Sequence, residues 1–386
     1  MKISRLSVSA CAALATLSLG LSACAANEGG TGSGSSTQPG TSSSGGTGTS
    51  GGSSSSTVSL TGELKGVGAS SAATAQETWA AAFQTTNPDV TVNYSPDGSG
   101  AGRDAFAGGG ADFAGSDRAL KPEEAAAAAL TKSRCAAGSA AIDLPIYVSP
   151  IAVIFKIEGV DKLQLDAKTL AGIFKGDIKT WNDPAIAALN KGASLPSTNI
   201  TAVHRADDSG TTENFTDYLN TAAPAVWDAK ADGVWPYKGG EAAPQTSGMV
   251  SAVTNGTGTI GYADASKAGG LGVAEVQVGT KFQGPTAEAA AAIIEASPRD
   301  TQGRSKSDLT VKIDRKAQGD VYPIVLLSYA IACEKYKDAD TAAKVKAYLS
   351  YVASSEGQQA AVAKAKMAPL SDKMSAEVEA AAGTIS

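Results

Sequence analysis

Three stretches of the chain share one local arrangement: a β-rich run, a turn of Gly, Ser or Thr, and a helix. The first runs from Leu64 to Ser71 and leads into Ala73, with Ser70 and Ser71 in the turn; the second runs from Val92 to Gly102, with Ser99; the third runs from Val203 to Thr212, with Ser209, Gly210 and Thr211. Helix starts leave free backbone N–H groups and the positive end of a dipole, and small residues let an anion come close. Three such ends converging would cage an anion without net positive charge. Ser and Thr are also ordinary N-caps, so one such turn alone reads as structural. The coincidence of three, the last with Arg205 at its strand end, points to a site. Arg205 is suited to bidentate contact with a tetrahedral oxyanion, and Asp207 two positions later could hold its guanidinium. Arg103 and Arg118 also lie close to small-residue turns, and spacing alone excludes neither. Asp117 follows a further β-rich run and has the wrong sign for an anion site, a sign that becomes useful if the ligand carries a proton.

The elements that must position these residues alternate short β-rich runs with Ala-rich helical stretches, the pattern of an α/β protein. Strands are expected over Glu63–Val67, Val90–Tyr94, Ala111–Ala114, Asp143–Phe155, Ile200–Arg205 and Val321–Cys333. Helices are expected over Ala73–Thr85, Gly102–Gly108, Pro122–Leu130, Ala167–Phe174, Pro184–Asn190, Thr212–Leu219, Thr286–Ala296 and Thr341–Ala363. The runs near Leu144–Ile157 and Ile324–Ala332 are unusually long and apolar, which suits strands passing between lobes and equally a buried central strand. No repeat of fixed period is present.

Composition removes several function classes. With 32 basic and 38 acidic residues the chain carries a net charge of −6, against a broad nucleic-acid footprint. One His and four Cys are too few for a multi-His metal centre or a zinc array, and 5% aromatics argue against stacking platforms. No cofactor is expected. Lys2 and Arg5 precede an apolar run ending in Leu21-Ser22-Ala23-Cys24, too short and small-residue-rich for a membrane span, so residues 1–23 read as a cleaved signal. From Asn27 to Thr57 the chain is almost wholly Gly, Ser and Thr with Glu28 as its only charge, a flexible coil whose root-mean-square reach is on the order of 30 Å. A glycosylated stalk is the alternative for this run. Of the four cysteines only Cys135 and Cys333 remain for the folded body, and in an exported protein two are most simply a disulfide. It would close a loop of about 200 residues, for which the chain-entropy argument gives roughly 5 kcal/mol as an upper bound.

Leu21-Ser22-Ala23-Cys24 resembles the bacterial lipobox, which implies that Cys24 carries a palmitate-type lipid and becomes the mature N-terminus. From Leu60 to Ala382 the chain resembles the phosphate-binding protein of the Pst-type phosphate ABC importer, the PstS family. The most specific stretch is Arg205-Ala206-Asp207-Asp208-Ser209-Gly210-Thr211. It is joined by the Gly66–Ser70 opening, Asn93-Tyr94 before Gly98–Gly102, Asp112-Phe113 before Ser116-Asp117, Ile178–Asp183, Leu195-Pro196, Gly258–Tyr262 and Val321–Ile324. The resemblance implies a two-lobed, type II periplasmic-binding-protein fold with hinge strands between lobes. Lobe one would contain residues 58–142 and 322–386, and lobe two residues 143–321. It further implies a dehydrated inorganic phosphate held by Ser70, Ser71 (through its backbone), Ser99, Asp117, Arg205, Ser209, Gly210 and Thr211, with Asp207 orienting Arg205. A monomer, lipid-anchored on the outer face of the cell membrane, would hand its ligand to Pst-type permease subunits. Two departures stand out: the family commonly has an aromatic and a proline where this chain has Ser71 and Ala72, and Asp208 replaces a small residue, adding negative charge beside the arginine loop.

Phosphate near neutral pH keeps a proton that it can donate to ionised Asp117, whereas sulfate has none. Sites built around a ligand's own donor reject an analogue lacking it by about 10⁴ or more. A binding protein for another oxyanion is the nearest alternative, followed by a serine-type phosphoesterase and an adhesive surface lipoprotein. Ser99 lacks the outer glycines of a nucleophile elbow, and His204, the sole histidine, more simply occupies an alternating strand position beside Arg205.

Overall fold

The structure, a computed structural model, describes residues 59–386. The signal segment, Cys24 and the Gly/Ser/Thr run lie outside the described residues. The first three strand-to-helix passages are β1 (Gly62–Gly68) to α1 (Ala73–Thr86), β2 (Val90–Ser95) to α2 (Ser99–Ala107), and β3 (Phe113–Ser116) to the short α3 (Pro122–Ala125). Helix α1 forms because Ala75, Trp79, Ala80 and Phe83 recur at helical spacing and are all buried. β1 lies between β2 and β3, parallel to both.

The long β4 (Ala141–Lys156) leads into β5 (Gln164–Leu165), α4 (Ala167–Lys175), α5 (Pro184–Leu189), β6 (Thr201–Arg205), α6 (Gly210–Ala222), β7 (Glu241–Ala243), α7 (Gln245–Asn255) and β8 (Thr259–Asp264). After β9 (Gly272–Val273), β10 (Glu275–Val278), β11 (Lys281–Gln283) and α8 (Ala287–Ala296), the chain returns through β12 (Val325–Cys333) and ends in α9 (Ala339–Ala353), α10 (Ser355–Ala365) and α11 (Asp372–Ala382). One curled sheet runs in the order β2-β1-β3-β12-β4-β8-β6-β7, with β9 beside β4. β4 is the strand common to both ends of this sheet. It pairs antiparallel with β12 from Ala141 to Pro150 and with β8 from Ile151 to Lys156, so its partner changes between Pro150 and Ile151, further along than the Ile142/Asp143 division expected from sequence. Every residue of β4 but Lys156 is buried, as is all of β12, which accounts for their continuous apolar character.

The segment between α8 and β12 ties into both earlier and later parts of the described chain. Arg304 donates to the Leu120 carbonyl and pairs with Asp143, and Arg299 pairs with Glu377. Cys135 and Cys333 form a disulfide. The single helix expected over Thr341–Ala363 is two helices: Ser354 ends α9 and caps α10 by accepting from the Gly357 N–H. A Cβ at Gly357 would stand 2.0 Å from the Tyr351 carbonyl oxygen, so only glycine permits this tight corner. The helix expected over Pro122–Leu130 stops at Ala125, and the strand expected from Ala111 starts at Phe113. Helices α7 and α11 and strands β5 and β7 to β11 were not anticipated.

Candidate functional site

The starts of α1, α2 and α6 meet around Asp117, with the start of α7 beside them. The Asp117 carboxylate, 3% exposed, lies just beyond β3. The Ser71 hydroxyl donates to both its oxygens (2.7 and 2.8 Å), the Thr211 hydroxyl to Oδ2 (2.8 Å) and the Ser328 hydroxyl to Oδ1. The Asp117 backbone N–H donates to Ser99 Oγ at 3.1 Å, and its carbonyl accepts from Asn214 Nδ2 at 2.6 Å. α6 reaches this close because its first residue is glycine: a Cβ at Gly210 would stand 2.7 Å from Asp117 Cβ and 2.8 Å from Ser99 Oγ. Ser209 caps α6, accepting from the Thr212 N–H.

Arg205, 3% exposed at the end of β6, is held from two sides. Its Nε and Nη2 donate to the two oxygens of Asp207 (2.8 and 2.5 Å), and Nη2 also donates to Ser70 Oγ at 3.2 Å. Partial burial pushes the Asp207 carboxyl up, but the hydrogen bond and charge of Arg205 and the Gln245 N–H outweigh it and hold the group below its ordinary value. Asp207 therefore stays ionised and keeps the fork of Arg205 aimed. Behind the strand end, Tyr262 accepts from the Arg205 N–H and bonds Thr212; burial pushes its hydroxyl up to about 12, so it remains a neutral donor and acceptor.

Every residue expected from sequence falls in this cluster: Ser70, Ser71, Ser99, Asp117, Arg205, Asp207, Ser209, Gly210 and Thr211. Four further residues take part without having been anticipated. Thr246 and Gln245, at the start of α7, bond Ser70 and Asp207 (3.2 and 2.9 Å from the backbone N–H), Asn214 braces the Asp117 backbone, and Ser328 reaches Asp117 from β12. The signal for Ser328 is a hydroxyl inside the otherwise apolar run Val325–Ile331; nothing distinguishes Gln245, Thr246 or Asn214 locally.

The two departures acquire definite places. Ser71 is buried with its side chain on Asp117. Asp208 packs against Gly100 in the first turn of α2, and its carboxylate accepts from Arg103 Nη2 at 3.0 and 3.2 Å, while Arg103 Nη1 donates to Ser116 Oγ. Arg118 pairs with Glu124 and with Glu213 of α6. Arg103 and Arg118 are thus each paired with a carboxylate, as Arg205 is with Asp207. Burial raises the Glu213 carboxyl above its ordinary value despite Arg118 and Arg103. Beside Asp117 opens a cavity of about 630 Å³, lined among others by Arg118, Glu213, Asp217 and Arg315. His204 stacks on Trp235 with centroids 4.9 Å apart and its Nδ1 faces the Arg205 carbonyl, an arrangement with no serine in it.

A PBP superfamily domain profile matches residues 34–356. The chain is 36% identical over 355 residues to the phosphate-binding protein PstS 3 of Mycobacterium tuberculosis (strain ATCC 25618 / H37Rv), covering 90% of each. The chain belongs to the PstS family. A second PstS 3 relative, from Mycobacterium leprae, is 38% identical over 74% of this chain and 77% of its own length. Among solved structures, a high affinity periplasmic phosphate-binding protein with phosphate bound is 25% identical with a TM-score of 0.67, covering 83% of this chain and 93% of that one. The two-lobed periplasmic-binding fold is accordingly that of the PstS family.

Proposed function

We propose that this protein is an extracytoplasmic solute-binding protein that captures inorganic phosphate between two lobes and delivers it to a membrane ABC permease of the Pst type. The observation that carries this reading is Asp117 placed among anion-ready helix starts beside Arg205. A fully deprotonated tetrahedral anion would meet an acceptor there, whereas phosphate brings the proton that an ionised carboxylate takes. Ser70, Ser99, Ser209 and Thr211 would bond the ion through hydroxyls, Ser71 and Gly210 through backbone N–H groups, and Arg205 through Nη1, since Nε and Nη2 are bonded to Asp207 and Ser70. The PstS relatives carry phosphate binding in their names, which supports the ligand. The protein works by binding alone, with no bond made or broken. Lobe one takes residues 58–142 and 322–386 and lobe two 143–321, and the lobes would swing about the long strands β4 and β12 that run between them. Cys24 carries the lipid, and the protein acts as a monomer on the outer face of the membrane.

Calorimetry on phosphate-stripped protein at neutral pH tests this directly. Tight one-to-one phosphate binding with sulfate silent is expected, and Asp117→Asn should lose much of that preference. An Asp117→Asn variant that excludes sulfate as strongly as the parent would refute the proton-reading role.

A further inference from the structure

We propose that Ser328 is a specificity-determining positioning residue of this site, acting through Asp117; the inference rests on the phosphate reading above. Ser328 sits on β12, 1% exposed. A buried hydroxyl is costly unless bonded, and its one partner among the described residues is Asp117 Oδ1. Its place on the strand is also irregular. The pairing of β12 with β4 follows Ser328↔Tyr147 and then Tyr329↔Pro145, a one-residue slip of the kind that re-aims side chains beside sites.

The division of labour at Asp117 follows from counting protons. A carboxylate offers about four acceptor positions. Ser71 spreads one proton over both oxygens, Thr211 gives one to Oδ2 and Ser328 gives one to Oδ1. Ser71 and Thr211 stand in the helix-start turns, where their hydroxyls can rotate toward an ion. Ser328 approaches from the sheet and has no such alternative, so it is the fixed donor that holds Oδ1 in place. With Oδ1 held by that donor, the remaining acceptor positions of the carboxylate keep facing the turns, and a ligand must bring a proton to bond there. Without it the carboxylate can turn, and a water can sit between it and a fully deprotonated anion. Losing Ser328 should therefore weaken phosphate binding and relax the rejection of sulfate, two effects that a scaffolding role would not separate.

The test measures phosphate by calorimetry and sulfate by competition at neutral pH, on the phosphate-stripped full mature chain and on Ser328→Ala, Ser328→Thr and Ser328→Val, with melting curves alongside. Thr and Val have the same shape and differ in the hydroxyl, so their comparison isolates it even if Ser328→Ala folds poorly. In Ser328→Ala and Ser328→Val the phosphate Kd should weaken about ten- to a hundredfold, and the ratio of sulfate Kd to phosphate Kd should fall at least about tenfold. Ser328→Thr should keep the parent ratio more closely than Ser328→Val. Phosphate and sulfate affinities that fall together, leaving the ratio as in the parent, overturn the role of Ser328 and leave the phosphate reading standing. A parent that binds no phosphate overturns that reading and this inference with it.

Discussion

Arg103 and Asp208 offer a prediction whose sign separates two accounts of the same acidic residue. If Asp208 acts as a negative charge beside the anion, removing it improves affinity; if it acts through Arg103, the pair is a latch between α2 and the arginine loop. Arg103 Nη2 lies 3.0 and 3.2 Å from the two Asp208 oxygens, and the side chains are 8% and 44% exposed. At a charge separation of about 4 Å, an effective dielectric of 20 gives about 4 kcal/mol. The half-exposed carboxylate pulls this toward the surface range of about 0.2–1 kcal/mol. A net of about 1.4 kcal/mol, or tenfold in affinity, is the working figure. The decisive variant is the charge-neutral double replacement Arg103→Met with Asp208→Asn, which removes the latch while leaving the net charge near the anion unchanged. It should release phosphate about ten times faster than the parent in a stopped-flow trapping assay, with little change in the association rate. Raising salt should speed release from the parent, since one partner is exposed to screening, and leave the double variant nearly unaffected. A double variant that releases phosphate at the parent rate refutes the latch.

Two other outcomes follow from single groups. Gly210→Ala places a Cβ 2.7 Å from Asp117 Cβ, so overpacking should lower phosphate affinity about ten- to a hundredfold and lower the melting temperature as well, its cost of about 1–3 kcal/mol exceeding what Ala gains for the helix; parental affinity would contradict the contact. Burial, with repulsion from Asp308, raises the Asp143 carboxyl well above its ordinary value, so the folded state holds that proton more tightly than the unfolded one. This contribution is full below about pH 4 and is lost as pH rises through the folded value, so Asp143→Asn should gain on the parent in urea midpoint between pH 4 and 8, with Arg304 still paired to Asp308; a variant that falls further behind as pH rises would refute the sign.

What the sequence made legible is what is local in the chain. A strand, a small-residue turn and a helix are contiguous, so the starts of α1, α2 and α6 and the Arg205/Asp207 pair could be read from spacing. The fold class followed from the same alternation. The start of α7 was not legible, because Pro244-Gln245-Thr246-Ser247-Gly248 carries the composition of a loop and becomes a helix only where its N–H groups meet Asp207 and Ser70. The break at Ser354 was hidden for the opposite reason, since Ala-rich sequence on both sides favours continuing the helix and the Gly357 contact with Tyr351 decides otherwise.

The hardest residues to foresee were those whose meaning depends on a partner far along the chain. Asp208 read as a liability because sequence supplies its charge but not its direction, and Arg103, the residue that neutralises it, is 105 positions away. Ser71 read as a gap where the family carries an aromatic ring; packed against Asp117 it is instead a donor to the carboxylate on which ligand choice turns. Both departures fall at the site's own carboxylate and its own cross-chain ion pair, while Arg205, Asp207, Gly210 and the capping Ser209 keep the arrangement the turns required. The chain therefore varies how Asp117 is held and how the arginine loop is fastened, and leaves the anion-facing backbone alone. Affinity and release can be tuned through those two places, Asp117 with its three hydroxyl donors and Asp208 with Arg103, without rebuilding the cage.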